Sequence, residues 1–527
     1  MKRIITLLIV FVAIAMNTQT KAQGTGGPLP NLKSFEKIYG GGEIRAINQD
    51  SAGNLYLAMN GNVAVLKVDQ NGNKIWARDY LGLMPGGIMS MKLLPDGGKL
   101  LAGAVQFYYP NRQMDAFLIK LDANGHFIVG KLIDDPGVGN SYTYGWSIEA
   151  DDSAYYFCAE TDGFSGVAGG LLVVKTDFNL NLQLACLFSD WIFVNGINKI
   201  HDGTFIISGS CSNPITSKVN LFLMKIDKYL NQEWFKVYGN NTGYQSACSL
   251  IETTDSNVLV VGAINNNSVE GESDAYILKV NPQNGDTIFT RSIGTSGSQA
   301  AFSVVEKNSE YLISGGSVDL ALGESKTFLF SMKEGGSLLK SSHLGAISSG
   351  SVSCGYSIIS KEDDLFIGGV NQSSVFLIKT KNDTVSECNK QNSNIFYQNY
   401  QTSVYGRAVT RTIVNPVITN LANTESSLTI TTTTNCFSYF VDTSTVLVEE
   451  NSTKEGIKIF PNPAKDYVVI EGCINQNIIL YDFLGRTIFS KIINTDSEKI
   501  NLNDFVPGMY FCKIGTDNNL KKFVVSK

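Results

Sequence analysis

The sequence predicts an all-β protein, in which a seven-bladed β-propeller is followed by a small C-terminal Ig-like β-sandwich. Three observations lead to this fold class. An apolar run that usually ends in Lys recurs seven times, at intervals of 48 to 55 residues. Hairpin dipeptides such as Asn71-Gly72 follow several of these runs. Finally, the segment from residue 457 to 527 divides into short apolar stretches separated by turn residues.

The composition agrees with many short strands and narrows the range of partners. The 527 residues include 50 Gly but only 12 Pro, and 43% of them are hydrophobic. That length and composition suffice for more than one packed core. The formal net charge of −6 provides no basic surface field. We therefore expect neither nucleic acid nor an anionic membrane surface as a partner.

The N-terminus has the organisation of a signal peptide over residues 1–22. A basic start precedes an apolar run from Ile4 to Met16, which is too short to span a bilayer comfortably. Small residues at the two recognition positions predict cleavage after Ala22. An uncleaved anchor helix is the alternative. Later apolar runs are shorter than a membrane span, so the sequence predicts no transmembrane segment after signal removal.

Residues 35–385 contain the repeat. Its third apolar run ends at Lys67, Lys120, Lys175, Lys225, Lys279, Ser331 and Lys379, which marks seven units. The preceding run ends in Gly at positions 103, 209, 262, 315 and 368, with intervals of 53 residues or twice that. Each unit divides into four short runs joined by polar turns, which is the pattern of a propeller blade.

A single blade has two apolar faces and is stable only when it stacks on its neighbours, which seven blades can do by closing a ring. The run from Phe35 to Gly40 reads as a strand that completes the short seventh unit. An eight-bladed ring or a β-solenoid is the alternative. We expect the recurring Lys to stabilise neighbouring blades, with an anion-binding ring as the alternative.

The run from Asp274 to Lys279 resembles the repeat unit of secreted bacterial propellers. Trp76 and Trp234 occupy the position of the Trp in quinoprotein blades, but the other units lack it. No cofactor is therefore predicted.

Residues 386–455 interrupt the repeat. They are rich in Asn, Ser and Thr, and their apolar runs are short and broken. We expect only weak strands there, in a small β-appendage on the propeller that ends in a linker. Cys388 and Cys436 flank much of this segment and are the best candidates for a disulfide, because an exported chain meets an oxidising compartment.

Residues 457–527 carry the most specific pattern in the chain, and turn chemistry between about seven short strands predicts a small sandwich. Its motifs comprise Pro461, Asn462, Pro463, Tyr481, Asp482, Gly485, Arg486, Gly508 and Tyr510. In this order they resemble the type A C-terminal sorting domain of the type IX secretion system of Bacteroidetes. Together with the repeat, they resemble those of secreted β-propeller proteins of Bacteroidetes.

That resemblance implies a partner and a cellular location. The C-terminal domain would engage the type IX secretion machinery and carry the chain through the periplasm. The mature protein would then be secreted or held at the outer cell surface. An ordinary Ig-like adhesive module is the alternative reading of the same strands.

Side chains with catalytic potential are sparse in the sequence. His126, His201 and His343 lie in turns or loops of different repeats, without a second ligand at metal spacing. The carboxylates of the third unit, from Glu149 to Asp162, coincide partly with a hairpin turn, although a paired-carboxylate glycosidase is conceivable. We therefore predict no catalytic, cofactor or metal site, and no enzyme.

The function that best fits these observations is an exported binding or adhesion scaffold for a protein or glycan. Loops of varying length between the second and third runs, Phe107–Met114, Asp162–Gly169 and Ile264–Ser273, are the expected binding elements. A secreted hydrolase or lyase with a site at the propeller mouth is the main alternative. A purely structural surface-layer component is a third hypothesis.

Overall fold

The computed structural model describes residues 32–439 and 458–526, except positions 83, 108–112, 135–141, 165–166, 190–191, 213–217, 240–242, 266–272, 295–296, 320–323, 345–352, 373, 382–390, 393–395, 400–401, 408, 473, 483–485 and 515–519. The described residues form strands and no helix. Accordingly, they contain no helix of the length and apolar character that a membrane crossing requires. The chain divides into two compact units, residues 1–440 and 441–527.

The first unit is a propeller of seven blades, each with four antiparallel strands. The first strand, β1 (Leu32–Tyr39), belongs to the seventh blade. Blades 1 to 3 comprise β2 (Glu43–Gln49), β3 (Leu55–Asn60), β4 (Ala64–Val68) and β5 (Lys74–Asp79); β6 (Gly86–Leu93), β7 (Lys99–Phe107), β8 (Gln113–Leu121) and β9 (Phe127–Asp134); and β10 (Thr143–Ala150), β11 (Tyr155–Phe164), β12 (Val167–Thr176) and β13 (Leu182–Ser189).

The remaining blades follow the same order, from the innermost strand to the outermost. Blades 4 to 6 comprise β14 (Ile192–Lys199), β15 (Phe205–Ser212), β16 (Val219–Ile226) and β17 (Gln232–Gly239); β18 (Tyr244–Glu252), β19 (Val258–Asn265), β20 (Asp274–Val280) and β21 (Thr287–Gly294); and β22 (Ser298–Lys307), β23 (Glu310–Asp319), β24 (Glu324–Lys333) and β25 (Leu338–Leu344). Blade 7 comprises β26 (Ser353–Lys361), β27 (Asp364–Asn371), β28 (Ser374–Lys381) and β1.

Strand β1 closes the ring. It pairs antiparallel with β28, with Phe35 opposite Lys379 and Tyr39 opposite Val375. The last blade therefore contains both ends of the repeat region, so the ring cannot open without breaking this pairing. The short seventh unit predicted this arrangement, and the structure confirms it.

The hydrophobic core lies between neighbouring blades. Between blades 2 and 3, for example, Leu100 and Leu118 pack in one cluster with Phe157 and Leu172, and all four side chains are buried. Each blade thus covers the apolar faces of the next. Burial at roughly 25 cal/mol per Å² of apolar surface favours the closed ring over separate blades.

A belt, defined here as residues 391–439, runs around the outside of the propeller. Its strands are β29 (Gln391–Asn392), β30 (Phe396–Asn399), β31 (Ser403–Gly406), β32 (Thr410–Ile413), β33 (Val417–Asn420), β34 (Ser426–Ser427) and β35 (Thr432–Tyr439). They pair antiparallel with the outermost strands of blades 6, 5, 4, 3, 2, 1 and 7, in that order. Every blade thereby gains a fifth strand.

The belt occupies the segment for which the sequence predicts a small β-appendage on the propeller. The outermost strand of a propeller blade presents unpaired backbone N–H and C=O groups, and such an edge is open to association with other chains. A belt that pairs with every edge satisfies these groups over at least part of each strand. Its short, broken apolar runs are therefore successive single crossings of the blade edges.

Side chains fix the belt between the blades. Val414, Leu421 and Ile430 are buried, and each joins a hydrophobic cluster that two neighbouring blades share. Between these anchors, Glu425 accepts a hydrogen bond of 2.9 Å from the backbone N–H of Phe127 and forms an ion pair with Arg78. Apolar burial and backbone pairing therefore act together along the belt.

The second unit is a sandwich of two antiparallel sheets. One sheet contains β36 (Lys458–Phe460), β37 (Tyr467–Glu471) and β40 (Ser497–Asn501), and the other contains β39 (Thr487–Ile493), β38 (Gln476–Tyr481), β41 (Gly508–Ile514) and β42 (Leu520–Val525). Val468, Ile470, Leu480 and Phe523 lie in the core between the sheets. The predicted all-β propeller followed by a small sandwich is confirmed.

Candidate binding site in the propeller channel

The innermost strand of every blade contains a β-bulge at the same position. The strand register shifts by one residue there, so one residue of the inner strand lacks an opposite partner. We call the seven bulged residues the channel ring, which consists of Arg45, Met89, Trp146, Asn195, Cys248, Phe302 and Tyr356. A β-bulge changes the direction in which the side chain of the bulged residue points, and each blade has one such residue.

Glycine on the second strand makes room for these bulges. A Cβ atom at Gly262 would lie 1.9 Å from the carbonyl oxygen of Ser246 on the inner strand. The corresponding distances at Gly103, Gly209 and Gly315 are 2.0, 2.0 and 2.1 Å. The periodic Gly of the sequence therefore marks the place where the bulge brings two backbones together.

In blade 7 the glycine that makes room for the bulge is not the one that the sequence period indicated. The structure pairs Gly355 with Gly369, so Gly369 and not Gly368 occupies the equivalent place. A Cβ atom at Gly369 would lie 1.8 Å from the carbonyl oxygen of Cys354, whereas one at Gly368 would meet the side chains of Ile44 and Ile47.

A serine after the bulge connects neighbouring blades. The backbone N–H of Ile47 donates to Ser357 Oγ at 3.2 Å, which joins blade 1 to blade 7. In the same way Ile197 N donates to Ser147 Oγ, and Ile358 N donates to Ser303 Oγ. These hydroxyls satisfy backbone donors that the bulge withdraws from the ladder.

The channel ring surrounds a cavity on the propeller axis. Its volume is about 540 Å³, and the innermost strands of all seven blades contribute to its walls. Besides the ring, the lining includes Asn48, Met91, Asn198 and Ile359. The volume lies within the roughly 300–1,000 Å³ that small-molecule sites occupy.

The charged side chain of the cavity wall is neutralised by a neighbour. Arg45 Nε donates to Glu43 Oε1 at 2.7 Å, and a terminal nitrogen of the same guanidinium lies 2.5 Å from that oxygen. Asn60 Nδ2 also donates to Glu43. The Arg45 guanidinium lies over the Tyr356 ring, 4.1 Å from its centroid. Arg45 is therefore held by an ion pair and a cation–π contact at once.

Aromatic side chains form two groups at the cavity. Trp146 packs on Tyr144 at a centroid distance of 4.9 Å, and the Tyr144 hydroxyl donates to Met89 Sδ at 3.5 Å. Phe302 meets Tyr356 edge to face at 5.0 Å. Both groups are held by contacts with neighbouring side chains, so their rings are oriented in advance.

The Cys248 thiol and the Tyr356 hydroxyl of the ring remain neutral at ordinary pH. Burial raises the pKa of the Cys248 thiol to about 12, which disfavours the nucleophilic thiolate. Burial also raises the pKa of the Tyr356 hydroxyl above its usual value. The described cavity lining includes no Asp, Glu or His.

The carboxylates of the third unit each have a different partner. Glu149 forms an ion pair with Lys92, and Asp151 accepts a hydrogen bond of 2.7 Å from the Tyr156 hydroxyl while it caps the hairpin turn. Asp162 accepts from the backbone N–H of Tyr142. Burial raises the pKa of Glu160, and the nearby Trp146 indole opposes this.

The three histidines belong to blades 2, 4 and 6, and His343 lies in strand β25 instead of the predicted turn or loop. His126 contacts Glu425 of the belt at 3.1 Å, and the backbone N–H of His201 donates to Glu252. Burial, with Lys326 nearby, lowers the pKa of His343. Across the described residues, no group of three or more His, Cys, Asp or Glu side chains could hold a metal ion.

The recurring lysines stabilise hairpin turns as well as neighbouring blades. Lys225 pairs with Asp202 and Lys279 pairs with Asp255, each within its own blade, at 2.8 and 2.6 Å. Lys120 Nζ instead donates to the carbonyl of Phe178 in the next blade. The expected role in blade construction therefore holds, but much of it lies within blades.

Several sequence predictions fall outside the described residues. These include the cleavage site at Ala22, Cys388 of the proposed disulfide, Gly485, and much of the loops Phe107–Met114 and Ile264–Ser273. Cys436 lies in β35, opposite Glu36. The disulfide and the loop-borne binding site stay predictions.

Motif residues of the C-terminal sandwich pin its loops to its strands. Asn462 Oδ1, between Pro461 and Pro463, accepts a hydrogen bond of 2.9 Å from Val524 N in the last strand. Arg486 Nε donates to Asp482 Oδ2 at 2.6 Å, just after Tyr481 ends β38. Tyr510, two residues after Gly508, donates from its hydroxyl to the Val506 carbonyl at 2.7 Å.

A family model described as "Secretion system C-terminal sorting domain" matches residues 458–526. This module is a secretion sorting domain. The protein is therefore a propeller with a type IX sorting domain, exported to the cell surface or secreted. This family model matches the sandwich and does not extend into the propeller.

Comparisons of the whole chain add context at low similarity. Among curated proteins, none matches the sequence. A protein of unknown function from Dyadobacter fermentans is 10% identical with a TM-score of 0.40, over 67% of this chain and 100% of its own. The WD40 domain of Neurospora crassa Pan2 is 7% identical with a TM-score of 0.38, over 67% and 98%. PorZ, a surface component of the type IX secretion system of Porphyromonas gingivalis, is 9% identical with a TM-score of 0.20, over 92% and 93%.

The channel ring itself was missed by sequence reasoning. Its signal is a four-residue pattern in the opening run of each unit. The ring residue is the second of the four and varies, the third is small, and the fourth is aliphatic or Met. Ala301-Phe302-Ser303-Val304 and Gly355-Tyr356-Ser357-Ile358 are two copies. Alignment of the units on this pattern, instead of on Lys or Gly, would have isolated the seven variable positions.

Proposed function

We propose that this protein is an exported binding propeller that takes an extracellular ligand in its central channel. The observation that carries the proposal is the contrast between neighbouring positions of the inner strands. Seven equivalent bulge positions hold seven different residue types. One residue later, every blade has Ala, Ser or Gly, and two residues later every blade has Ile, Leu, Val or Met.

A position with a purely structural role would repeat its residue, as the two following positions do. Instead the repeat varies where side chains line the cavity. A ring of unlike side chains on a common backbone has no internal symmetry, and it can therefore orient one ligand in one way. Such convergence of a few polar groups among apolar ones is typical of binding sites.

The sorting domain supports an extracellular location for ligand binding. Export by the type IX system delivers the propeller to the cell surface or beyond, where its ligand would be an extracellular molecule. We infer that the sorting domain engages the secretion machinery and that the propeller carries the binding function. Adhesion follows if the ligand belongs to a surface.

Ring variants of the full-length protein test this proposal. We would probe arrays of glycans and extracellular proteins with the wild type, with Trp146→Ala and with Tyr229→Ala as a control. Tyr229 is an exposed aromatic residue in the turn between β16 and β17. The wild type and the control should bind the same ligand, whereas Trp146→Ala should weaken that binding at least tenfold.

Two results would contradict the proposal. Equal binding by the wild type and Trp146→Ala would place the binding site elsewhere on the molecule. Conversion of a bound glycan into products, measured by mass spectrometry, would favour the secreted hydrolase or lyase hypothesis instead.

A further inference from the structure

The two aromatic groups of the channel face each other. Trp146 belongs to blade 3, whereas Phe302 and Tyr356 belong to blades 6 and 7. In a closed ring of seven blades, blade 3 lies half a turn from the boundary between blades 6 and 7. A ligand on the axis would therefore have an aromatic platform on each side.

Polar groups line the cavity between these platforms. Blade 1 contributes Asn48 and Arg45, whose guanidinium pairs with Glu43, and blade 4 contributes Asn195 and Asn198. Asn195 Nδ2 donates to the Ala247 carbonyl of blade 5, which orients its amide. The Asn amides both donate and accept hydrogen bonds, whereas the Arg45 guanidinium only donates, and its charge is balanced by Glu43.

This arrangement disfavours an anionic ligand. An incoming carboxylate or sulfate would compete with Glu43, which already accepts from Arg45 at 2.7 Å and from Asn60 at 2.5 Å. The carboxyl of Glu43 would then lose partners while still partly buried, and such a loss is costly. A neutral ligand can approach without breaking the pair.

The inner strands also disfavour an extended peptide. A peptide that adds to a sheet edge needs backbone donors along that edge. At the bulges, however, the amides of Ile47, Ile197 and Ile358 already donate to serine hydroxyls of neighbouring blades. Continuous strand addition is interrupted in the middle of these strands.

We propose that the channel ligand is a neutral saccharide, and this inference rests on the proposed function. One face of a pyranose is apolar and packs against an aromatic ring, while its hydroxyls both donate and accept hydrogen bonds. Its ring would lie between Trp146 and Phe302. Its hydroxyls would meet Arg45 and the amides of Asn195 and Asn198.

The test uses the full-length chain and three sets of probes: neutral mono- and oligosaccharides of hexoses, deoxyhexoses, pentoses and N-acetylhexosamines; acidic and sulfated saccharides; and unstructured peptides. Neutral saccharides should bind. Trp146→Ala and Phe302→Leu should each weaken that binding at least tenfold, since Phe302→Leu keeps apolar bulk but removes the ring face. The exposed control Tyr229→Ala should bind like the wild type.

A second variant separates hydrogen bonding from packing. Arg45→Lys keeps the charge but loses the planar fork of donors, so it should weaken binding without a comparable fall in melting temperature. Thermal unfolding of each variant identifies any that fail to fold.

The outcomes distinguish the inference from the proposal beneath it. Ring-dependent binding of acidic saccharides or peptides alone would overturn the ligand class and leave the channel as a binding site. Binding that no ring variant alters, or no binding of any probe, would overturn both.

Discussion

The inner and outer edges of the blades are built in contrasting ways. At the inner edge the same bulge and the same type of small residue recur in all seven blades, the close backbone approach recurs in five, and one side chain per blade differs. At the outer edge the blades are sealed by a belt that has no repeat of its own, with strands of two to eight residues. The inner edge is formed by one motif that each blade repeats within its own sequence. The outer edge is formed by a single segment that is distant in sequence from most of the strands with which it pairs.

This contrast separates two roles. Side-chain variation on a constant backbone gives the inner edge the means to recognise a ligand. At the outer edge, backbone pairing and buried anchors connect all seven blades to one continuous segment. Changes at the inner ring should therefore alter binding, and changes in the belt should alter stability.

Removal of the belt is the largest perturbation of this contrast. A chain truncated after residue 390 should unfold at a much lower temperature than one truncated after residue 450, which lacks only the sorting domain and the linker before it. Loss of Val414, Leu421 and Ile430 alone removes three buried side chains, each worth about 1.5–3 kcal/mol of unfolding free energy.

Thermal unfolding and light scattering would measure this effect. The shorter chain should also associate, because its blade edges lose their partners. Equal melting temperatures for the two truncations would contradict a stabilising role for the belt.

At the inner edge, Gly262→Ala should destabilise the propeller by about 1–3 kcal/mol. The added Cβ would lie 1.9 Å from the Ser246 carbonyl, so the bulge of blade 5 would have to shift. Gly335→Ala is the matched control, since a Cβ there meets nothing within 4 Å. Denaturant unfolding of both variants would show whether the close approach is required.

A smaller effect is expected at a single belt contact. Although burial opposes it, the hydrogen bonds from Phe127 N–H, Arg78 and His126 hold the pKa of Glu425 below its usual value. A depressed carboxyl pKa stabilises the fold above the unfolded-state pKa, about 4.3, and this stabilisation is lost as the pH falls through the folded-state value.

Glu425→Gln should therefore lower stability by about 1–2 kcal/mol at pH 7, and the difference from wild type should shrink in acid. Melting temperatures at pH 7 and near pH 3 would measure it, with Glu334→Gln in the β24–β25 turn as the control. A difference that is the same at both pH values would show that the charge of Glu425 is not responsible.

The sequence predicted the features that repeat from blade to blade. It did not predict the channel ring, whose residues differ between blades. The spacing of Lys and Gly gave the blades, and the short seventh unit gave the closing strand. The position of Gly369 was misjudged by one residue because the neighbouring Gly368 fits the 53-residue period, from which blade 7 departs by one residue. The channel ring was missed because a search for similarity passes over positions that differ.

The belt was missed for a physical reason. Its strands are too short for alternation to be visible, and their partners lie at distant points in the sequence. A weak signal exists, since four successive belt strands begin at residues 396, 403, 410 and 417, which are seven residues apart. That interval is the step from one blade edge to the next.

The most direct test compares one variant from each edge with two readouts. Trp146→Ala and Glu425→Gln would be measured side by side for neutral-saccharide binding and for melting temperature at pH 7. The account predicts that Trp146→Ala weakens binding at least tenfold while the protein stays folded, and that Glu425→Gln lowers the melting temperature while binding is retained. Binding lost with Glu425→Gln and kept with Trp146→Ala would contradict the division of roles between the two edges.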